Sequence, residues 1–351
     1  MSKNAQHIQT EKIITTLLAA LPSRQRDVLS RRFGLKDGKR RTLEEIGEGY
    51  HITRERVRQI ENDAKAAVLK SHLIKALDPF FDALVEHFDR HGGMRAEHVL
   101  FDRDAPLFFP GTAEKIARAY LHLLVTIHEA FEKHPETDEF HTLWAVKHAK
   151  PDQVKKSLTE LVKKLDETKE LVGKEKLFML LREYMDGELS TEALESYLAA
   201  SKAIGANVFG EYGLRHWPEI NIRGVRDKAY LVLKRHTKPM HFREIVARIN
   251  ETFMPKKATH PQTVHNELIK SGKFVLVGRG MYALSDWGYE PGKVLDVMRR
   301  IMARAGHSMT KDDIVDAVLK ERNVKLNTIV LNLQNKAYFE KMKDGKFLVK
   351  S

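Results

Sequence analysis

The sequence predicts a mainly α-helical protein with two small α+β modules at its C-terminal end. Three observations carry that reading. Apolar residues recur at three- and four-residue spacing through most of the 351 residues. Two closely spaced, capped helices stand near the N-terminus. A pattern in the last third is repeated at an offset of 65 residues, and each copy ends in two short β-rich runs. At roughly 100–200 residues per domain the length suits two to four domains, and the expected division is 1–72, 73–222, 223–288 and 289–351.

Taken in order, the first ten residues are polar. From Glu11, the residues Ile13, Ile14, Leu17, Leu18 and Leu21 keep helical spacing. Leu21-Pro22-Ser23 stops that helix, and Ser23 is placed to cap the next, whose buried stripe is Val28, Leu29 and Phe33. Gly34 and a charged loop through Arg41 end it. Thr42 opens a short helix with Glu45 three residues later, the capping-box spacing. Gly47 and Gly49 supply a tight turn, and Thr53 caps a helix running to about Lys70. Between 73 and 222, apolar stripes at Phe80–Phe88, Ile116–Ile127 and Val154–Leu165 predict further helices. A short hairpin near Phe140–Val146 would make part of this helical middle region a degraded copy of the module that ends the chain.

That module is read from the repeat. Thr263, Val264, Leu268, Phe274, Gly280 and Tyr282 match Thr328, Ile329, Leu333, Phe339, Gly345 and Phe347 at an offset of 65. The run His241–Val246 matches Thr310–Val315 at an offset of 69, the difference being one shortened loop. In the first copy Gly278-Arg279-Gly280 joins the two strands as a hairpin turn. Three helices followed by a hairpin is the winged-helix order, a fold used by many proteins and not always for DNA. The fold class expected is therefore mainly α: an N-terminal helix-turn-helix, a helical middle region and C-terminal tandem winged helices.

Charge is unevenly distributed. The net +12 resolves into +6 for residues 1–72, −7 for 73–222 and +13 for 223–351. Two basic ends around an acidic middle point to two polyanion-binding surfaces.

The sharpest local signal is Thr42–Gly47, a turn, and Ile52–Glu61, a helix-turn-helix pattern. Val57, Ile60, Ala64 and Val68 share one face of the second helix, while Arg54 with Arg58 and Glu55 with Gln59 point the other way. Side chains near the start of such a helix reach base edges in the major groove. There Arg pairs with guanine, Gln with adenine, and Glu accepts from cytosine. A solvated charged face would show the same pattern, so spacing alone leaves both readings open.

Residues 21–29, Arg32-Phe33-Gly34-Leu35, Thr42–Gly47 and Thr53–Glu61 together resemble region 4 of bacterial primary sigma factors, over about residues 11–70. The resemblance implies recognition of an upstream (minus-35) promoter element and docking on the flap of the β subunit of RNA polymerase. It implies Arg54, Glu55, Arg58 and Gln59 as base readers, Arg56 as a phosphate contact beside Thr53, and Ile13 and Leu17 on the polymerase-docking side. The segment after Glu61 is less basic than in that family. Nothing resembles the aromatic-rich helix with which sigma factors open promoters, so a promoter-melting role is not expected. Separately, Asp227-Lys228-Ala229-Tyr230, Pro239–Ile245 and Gly278–Leu284 resemble the HARE-type helix-turn-helix domain, found also in the delta subunit of bacterial RNA polymerase. Here Lys256, Lys257, Gln262, Thr263, Asn266 and Arg279 are the expected DNA-facing residues, with lysines and arginine on phosphates. In the second copy Lys325, Asn327, Lys341, Lys343 and Lys346 invite the same reading.

Other chemistry finds little support. There is no cysteine, which excludes disulfides, thiolate nucleophiles and Cys-ligated zinc. His87 and His91 sit four apart with His98 nearby, but no HExxH accompanies them. Gly34–Lys39 has the wrong spacing for a phosphate loop. No metal, cofactor, small-molecule substrate or catalytic set is expected. The longest apolar run, Ala119–Ile127, is far short of a membrane span, and the N-terminus lacks the apolar core of a signal peptide, so a soluble, cytoplasmic protein is expected. The expected function is a sequence-specific DNA-binding transcription regulator that associates with bacterial RNA polymerase. The alternatives are a DNA-binding accessory of a modification, restriction or repair system, and a protein-only polymerase-interaction module.

Overall fold

The computed structural model describes residues 3–289, 294–321 and 324–350. The chain separates into two units, Met1–Ala206 with Gly210–His216, and Asn207–Phe209 with Trp217–Ser351.

The first unit opens with four helices, α1 (Lys3–Ala19), α2 (Ser23–Phe33), α3 (Leu43–Tyr50) and α4 (Arg54–Lys70). Ser23 is the first residue of α2 and contributes no cap; Pro22 precedes it in extended conformation. Thr42 and Glu45 close the expected capping box on α3. Both glycines expected in the turn lie inside α3, and the reversal falls on His51, whose φ is 54°. Gly47 is needed for a different reason. A Cβ there would come within 2.6 Å of the Ile52 carbonyl oxygen, where the chain turns back into α4. Val28, Ile46, Val57 and Ile60 form the small core of these helices.

The helical middle region holds two winged modules, the second with a reduced leading strand, where the sequence suggested part of one degraded copy. The first runs α5 (Asp78–Arg90), β1 (Met94–Ala96), α6 (Glu97–Val99) and α7 (Ala105–Phe108) joined by a π-helical turn, α8 (Glu114–Ile127), β2 (Phe131–His134) and β3 (Leu143–Val146). Its antiparallel sheet has the order β1-β3-β2. The expected hairpin is therefore displaced: β3 is its second arm, and Phe140 instead bridges to Ser201 of the next module. That second module is α9 (Pro151–Thr168), α10 (Lys174–Arg182), α11 (Thr191–Ala200), β4 (Ile204–Ala206) and β5 (Tyr212–Leu214). Its leading strand is reduced to one residue, Val172, which exchanges both backbone hydrogen bonds with Tyr212.

The second unit repeats the order twice. The third module is α12 (Val225–His236), β6 (Met240–His241), α13 (Phe242–Phe253), α14 (Pro261–Lys270), β7 (Phe274–Gly278) and β8 (Met281–Leu284), with sheet order β6-β8-β7. The fourth is α15 (Val294–Ala305), α16 (Lys311–Glu321), α17 (Leu326–Leu333), β9 (Phe339–Lys341) and β10 (Phe347–Val349). Met309 pairs with Phe347 just as Val172 pairs with Tyr212. One spacing runs through all four modules: Met94 and Val99, Val172 and Leu177, Met240 and Ile245, Met309 and Ile314. The first of each pair opens the leading strand, and the second is buried at the start of the helix that follows it.

The expected break at residue 72 does not separate two cores. Ile14, Leu17, Leu29, Phe33, Ala64 and Val68 pack in one cluster with Leu77, Phe80, Phe81, Leu121 and Leu124. The helix-turn-helix is thus built onto the first winged module, with α1 against the 3-10 turn His72–Leu77 and α2 against α8.

Candidate nucleic-acid interface

Helix α4 starts at a Thr53 side chain that accepts from the Arg56 N–H, a cap that fixes where the helix begins and which residues stand on its first turns. Val57 and Ile60 are buried, and Thr53, Arg54, Glu55, Arg56, Arg58 and Gln59 are all exposed on the opposite side. The six expected residues are therefore all exposed around the first turns of one helix, where the backbone also favours phosphate.

These side chains are paired with one another. Arg58 donates Nε and Nη2 to the two Glu55 oxygens at 2.9 and 2.7 Å. Arg56 donates to Gln59 Oε1 at 3.0 Å. The Arg58 hydrogen bond holds the Glu55 carboxyl below its usual range, and the same bond raises Arg58. Exposed pairs of this kind contribute little to stability, so exchanging them for base edges is inexpensive. Arg54 makes no side-chain hydrogen bond among the described residues, and it lines a groove with Arg32, Thr42, Leu43, Glu44, Glu55 and Arg58. Arg32 and Thr42, absent from the expected set, thus extend the face; the capping box and the arginine-rich segment 31–41 were the signals for them in the sequence.

At its other end α4 is anchored. Glu61 is 6% exposed and takes Arg32 at 2.8 Å and Lys65 at 2.5 Å. Burial works against its ionisation, but the hydrogen bonds from Lys65 and Arg32 outweigh that and keep the carboxyl below its ordinary value.

In the third module Gln262, Thr263 and Asn266 are exposed along α14, with Gln262 Nε2 donating to Asn266 Oδ1 at 2.8 Å. Lys256 and Lys257 stand in the loop before α14, and Arg279 at the tip of the β7–β8 turn; all three are exposed. His265 on the same helix lies 3.2 Å from the Tyr282 hydroxyl. In the fourth module Lys325, Asn327, Lys341 and Lys343 are exposed, but α17 also exposes Leu326 and Leu331. The third helices of the first two modules are turned to the interior. Residues 121–125 of α8 are all buried, and α11 packs on β1, where Ser196 hydrogen-bonds the Met94 carbonyl.

Ile13 and Leu17 do not form an open docking surface in this structure. Leu17 is 4% exposed and Ile13 is half-buried, both against the chain's own core. An apolar stripe reports burial without naming what covers it; here the cover is the middle region. The three histidines of the metal spacing also do not converge. His87 sits 3.2 Å from Asp104, His91 turns Nδ1 to the His87 carbonyl, and His98 lies beside His141. Among the described residues there is no group of three or more His, Cys, Asp or Glu placed to hold a metal.

Among the described residues no helix is long and apolar enough to cross a membrane. Comparison with known proteins agrees with the two resemblances segment by segment. Residues 17–68 match the family described as Sigma-70, region 4. Residues 224–287 match the HARE-HTH family, whose description names ASXL and a restriction endonuclease HTH domain. The RNA polymerase sigma factor SigA of Nostoc sp. is 50% identical over 64 residues, covering 18% of this chain and 15% of the relative. SigA of Microcystis aeruginosa is 48% identical over 64 residues, covering 18% and 14%. SigA1 of Synechococcus elongatus is 56% identical over 48 residues, covering 14% and 12%. The chain thus spans about an eighth to a seventh of these relatives, and the likeness is to one sigma-factor region fused here to winged modules.

Proposed function

We propose that this chain is a sequence-specific DNA-binding transcription regulator that works with bacterial RNA polymerase in the cytoplasm, by binding and positioning rather than catalysis. The observation that carries it is the exposed row Arg54, Glu55, Arg58 and Gln59 on a capped helix-turn-helix within the segment that matches sigma region 4. Arg54 and Arg58 address guanine, Gln59 adenine, and Arg56 a phosphate. The basic face of the third module adds a second, phosphate-directed contact through Lys256, Lys257 and Arg279.

Polymerase association uses a surface other than Ile13 and Leu17. For the β-subunit flap to reach those residues, the middle region would have to leave them. The test combines genome-wide occupancy with polymerase co-purification from the same cells. Enrichment at promoters together with polymerase supports both halves; loss of polymerase at moderate salt removes the second. Arg54→Ala and Gln59→Ala should each weaken selective binding roughly five- to hundredfold, and unchanged selectivity would remove the assigned base readers. One observation favours a second reading, an accessory to DNA modification or restriction: the description of the family matched at 224–287 names a restriction endonuclease domain. Neighbouring methylase or nuclease genes would select it.

A further inference from the structure

A cavity of about 310 Å³ lies where α2 and α4 meet α8, β2 and β3. Four cations reach its walls, Arg32, Arg40, Lys65 and Lys133, against the single carboxylate of Glu61. Three are fixed in place. Arg32 is held by Glu61 and by the Arg41 carbonyl at 2.6 Å; Lys65 is held by Glu61 and lies over the Phe33 ring; Lys133 pairs with Glu97 at 2.8 Å and lies over Trp144. Arg40 has no carboxylate partner among the described residues. The buried ring of His122 lines the cavity between them, and its nitrogens make no hydrogen bond among the described residues.

Folding alone does not require this arrangement. Like charges converging on a partly desolvated recess repel one another, and glutamine or methionine would fill the same walls without that cost. Burial lowers His122 to about 3, and the neighbouring Arg40, Lys133, Lys65 and Arg32 push it the same way.

We propose that this cavity is a binding site for a small phosphate-bearing molecule, held by Arg32, Arg40, Lys65 and Lys133 with His122 at its floor. Guanidinium and ammonium groups are the usual partners of phosphate oxygens, and charge-assisted bonds to them are strong. The recess fits a compact anion better than a duplex backbone. The assignment is separable from the DNA-binding reading, since Arg40, Lys65, Lys133 and His122 lie outside the base-reading groove and only Arg32 is shared with it.

The full chain should be titrated with inorganic pyrophosphate and with ATP by calorimetry, and the His122 ring followed by NMR. The expected result is saturable one-to-one binding that shifts the His122 resonances and survives Arg54→Ala with Arg58→Ala. Arg40→Ala with Lys133→Ala should weaken it by at least about tenfold. Arg40→Glu, which breaks no ion pair among the described residues, gives the same answer should the double variant fail to fold. The proposal is overturned if neither probe saturates in the millimolar range, or if binding is unaffected by Arg40→Glu. It is also overturned if these substitutions weaken only binding of duplex DNA, which would give the cations to the DNA backbone.

Discussion

At the scale of single residues, the two glycines of α3 separate two physical roles that look alike in sequence. Gly47 approaches the Ile52 carbonyl so closely that a Cβ would sit 2.6 Å away, against backbone that cannot move aside. At Gly49 the nearest atom to a Cβ is the end of the Arg31 side chain at 3.6 Å, an ordinary contact. Gly47→Ala should therefore destabilise the first unit. Gly49→Ala should be neutral or stabilising by up to about 0.5–1 kcal/mol, the intrinsic helix preference for alanine. Urea midpoints for the two variants should move in opposite directions or, at the least, differ clearly; equal shifts would refute the close-approach argument. Thr53→Ala removes the cap on α4 and should cost about 1 kcal/mol. The DNA-facing side chains of α4 were legible because capping and four-residue spacing are local signals. The pocket around His122 was not, because its walls come from segments scattered between Arg32 and Trp144 that only packing brings together.

At the scale of elements, the four modules share one topology but divide its use. A winged module's third helix serves a partner only where one face stays free. In α14 the buried positions are Val264 and Leu268, and Gln262, Thr263 and Asn266 face outward. In α8 the run from Leu121 to Val125 is buried throughout, so that helix belongs to the interior. Lys256→Ala and Lys257→Ala should each make the log–log salt slope of DNA binding shallower by about one, starting from a slope of roughly −4.5 if about five phosphates are engaged. Leu121→Ala should leave the slope alone and cost about 2–5 kcal/mol in stability, as large-to-small core changes do. A salt slope unchanged by both lysine variants would take the third module off the DNA. The C-terminal repeat was readable because its two copies remain similar in sequence. The two modules of the middle region escaped notice for definite reasons. Leading strands of three residues, or one, are too short to show alternation. The eight-residue link between β2 and β3 is no tight-turn signature. The stripe at Ile116–Ile127 announced a helix, but a stripe does not say which module it belongs to. The five-residue spacing from Met94 to Val99 and from Val172 to Leu177 was the one thread that joined them to the later copies.

At the scale of the whole molecule, the buried histidines should make the first unit sensitive to acid. His91, His98, His122, His128 and His141 all belong to it, and burial lowers each of them below its ordinary value near 6.5, His122 to about 3. The folded state thus holds these rings neutral, while the unfolded chain takes up protons near the ordinary value. Their contribution to stability is complete above about pH 6.5 and is lost progressively as pH falls toward the lowered values. Glu61 and Asp104 act in the same direction in a lower window. Hydrogen bonds from Lys65 and Arg32 to Glu61, and from Arg95 to Asp104 with the His87 ring 3.2 Å away, overcome burial and keep the carboxyls ionised, so their contribution is lost only as pH falls through the carboxylate range. The first unit should therefore lose stability between about pH 7 and pH 5, before its carboxylates begin to protonate. Because the cluster from Ile14 to Val146 is one core, the helix-turn-helix should weaken together with the first winged module, and DNA binding should fall in the same interval. His122→Asn should flatten the dependence. Urea midpoints measured across this range decide the matter: a midpoint that stays constant down to about pH 5, or a His122→Asn slope as steep as that of the unaltered protein, would show that these buried rings do not govern the acid response.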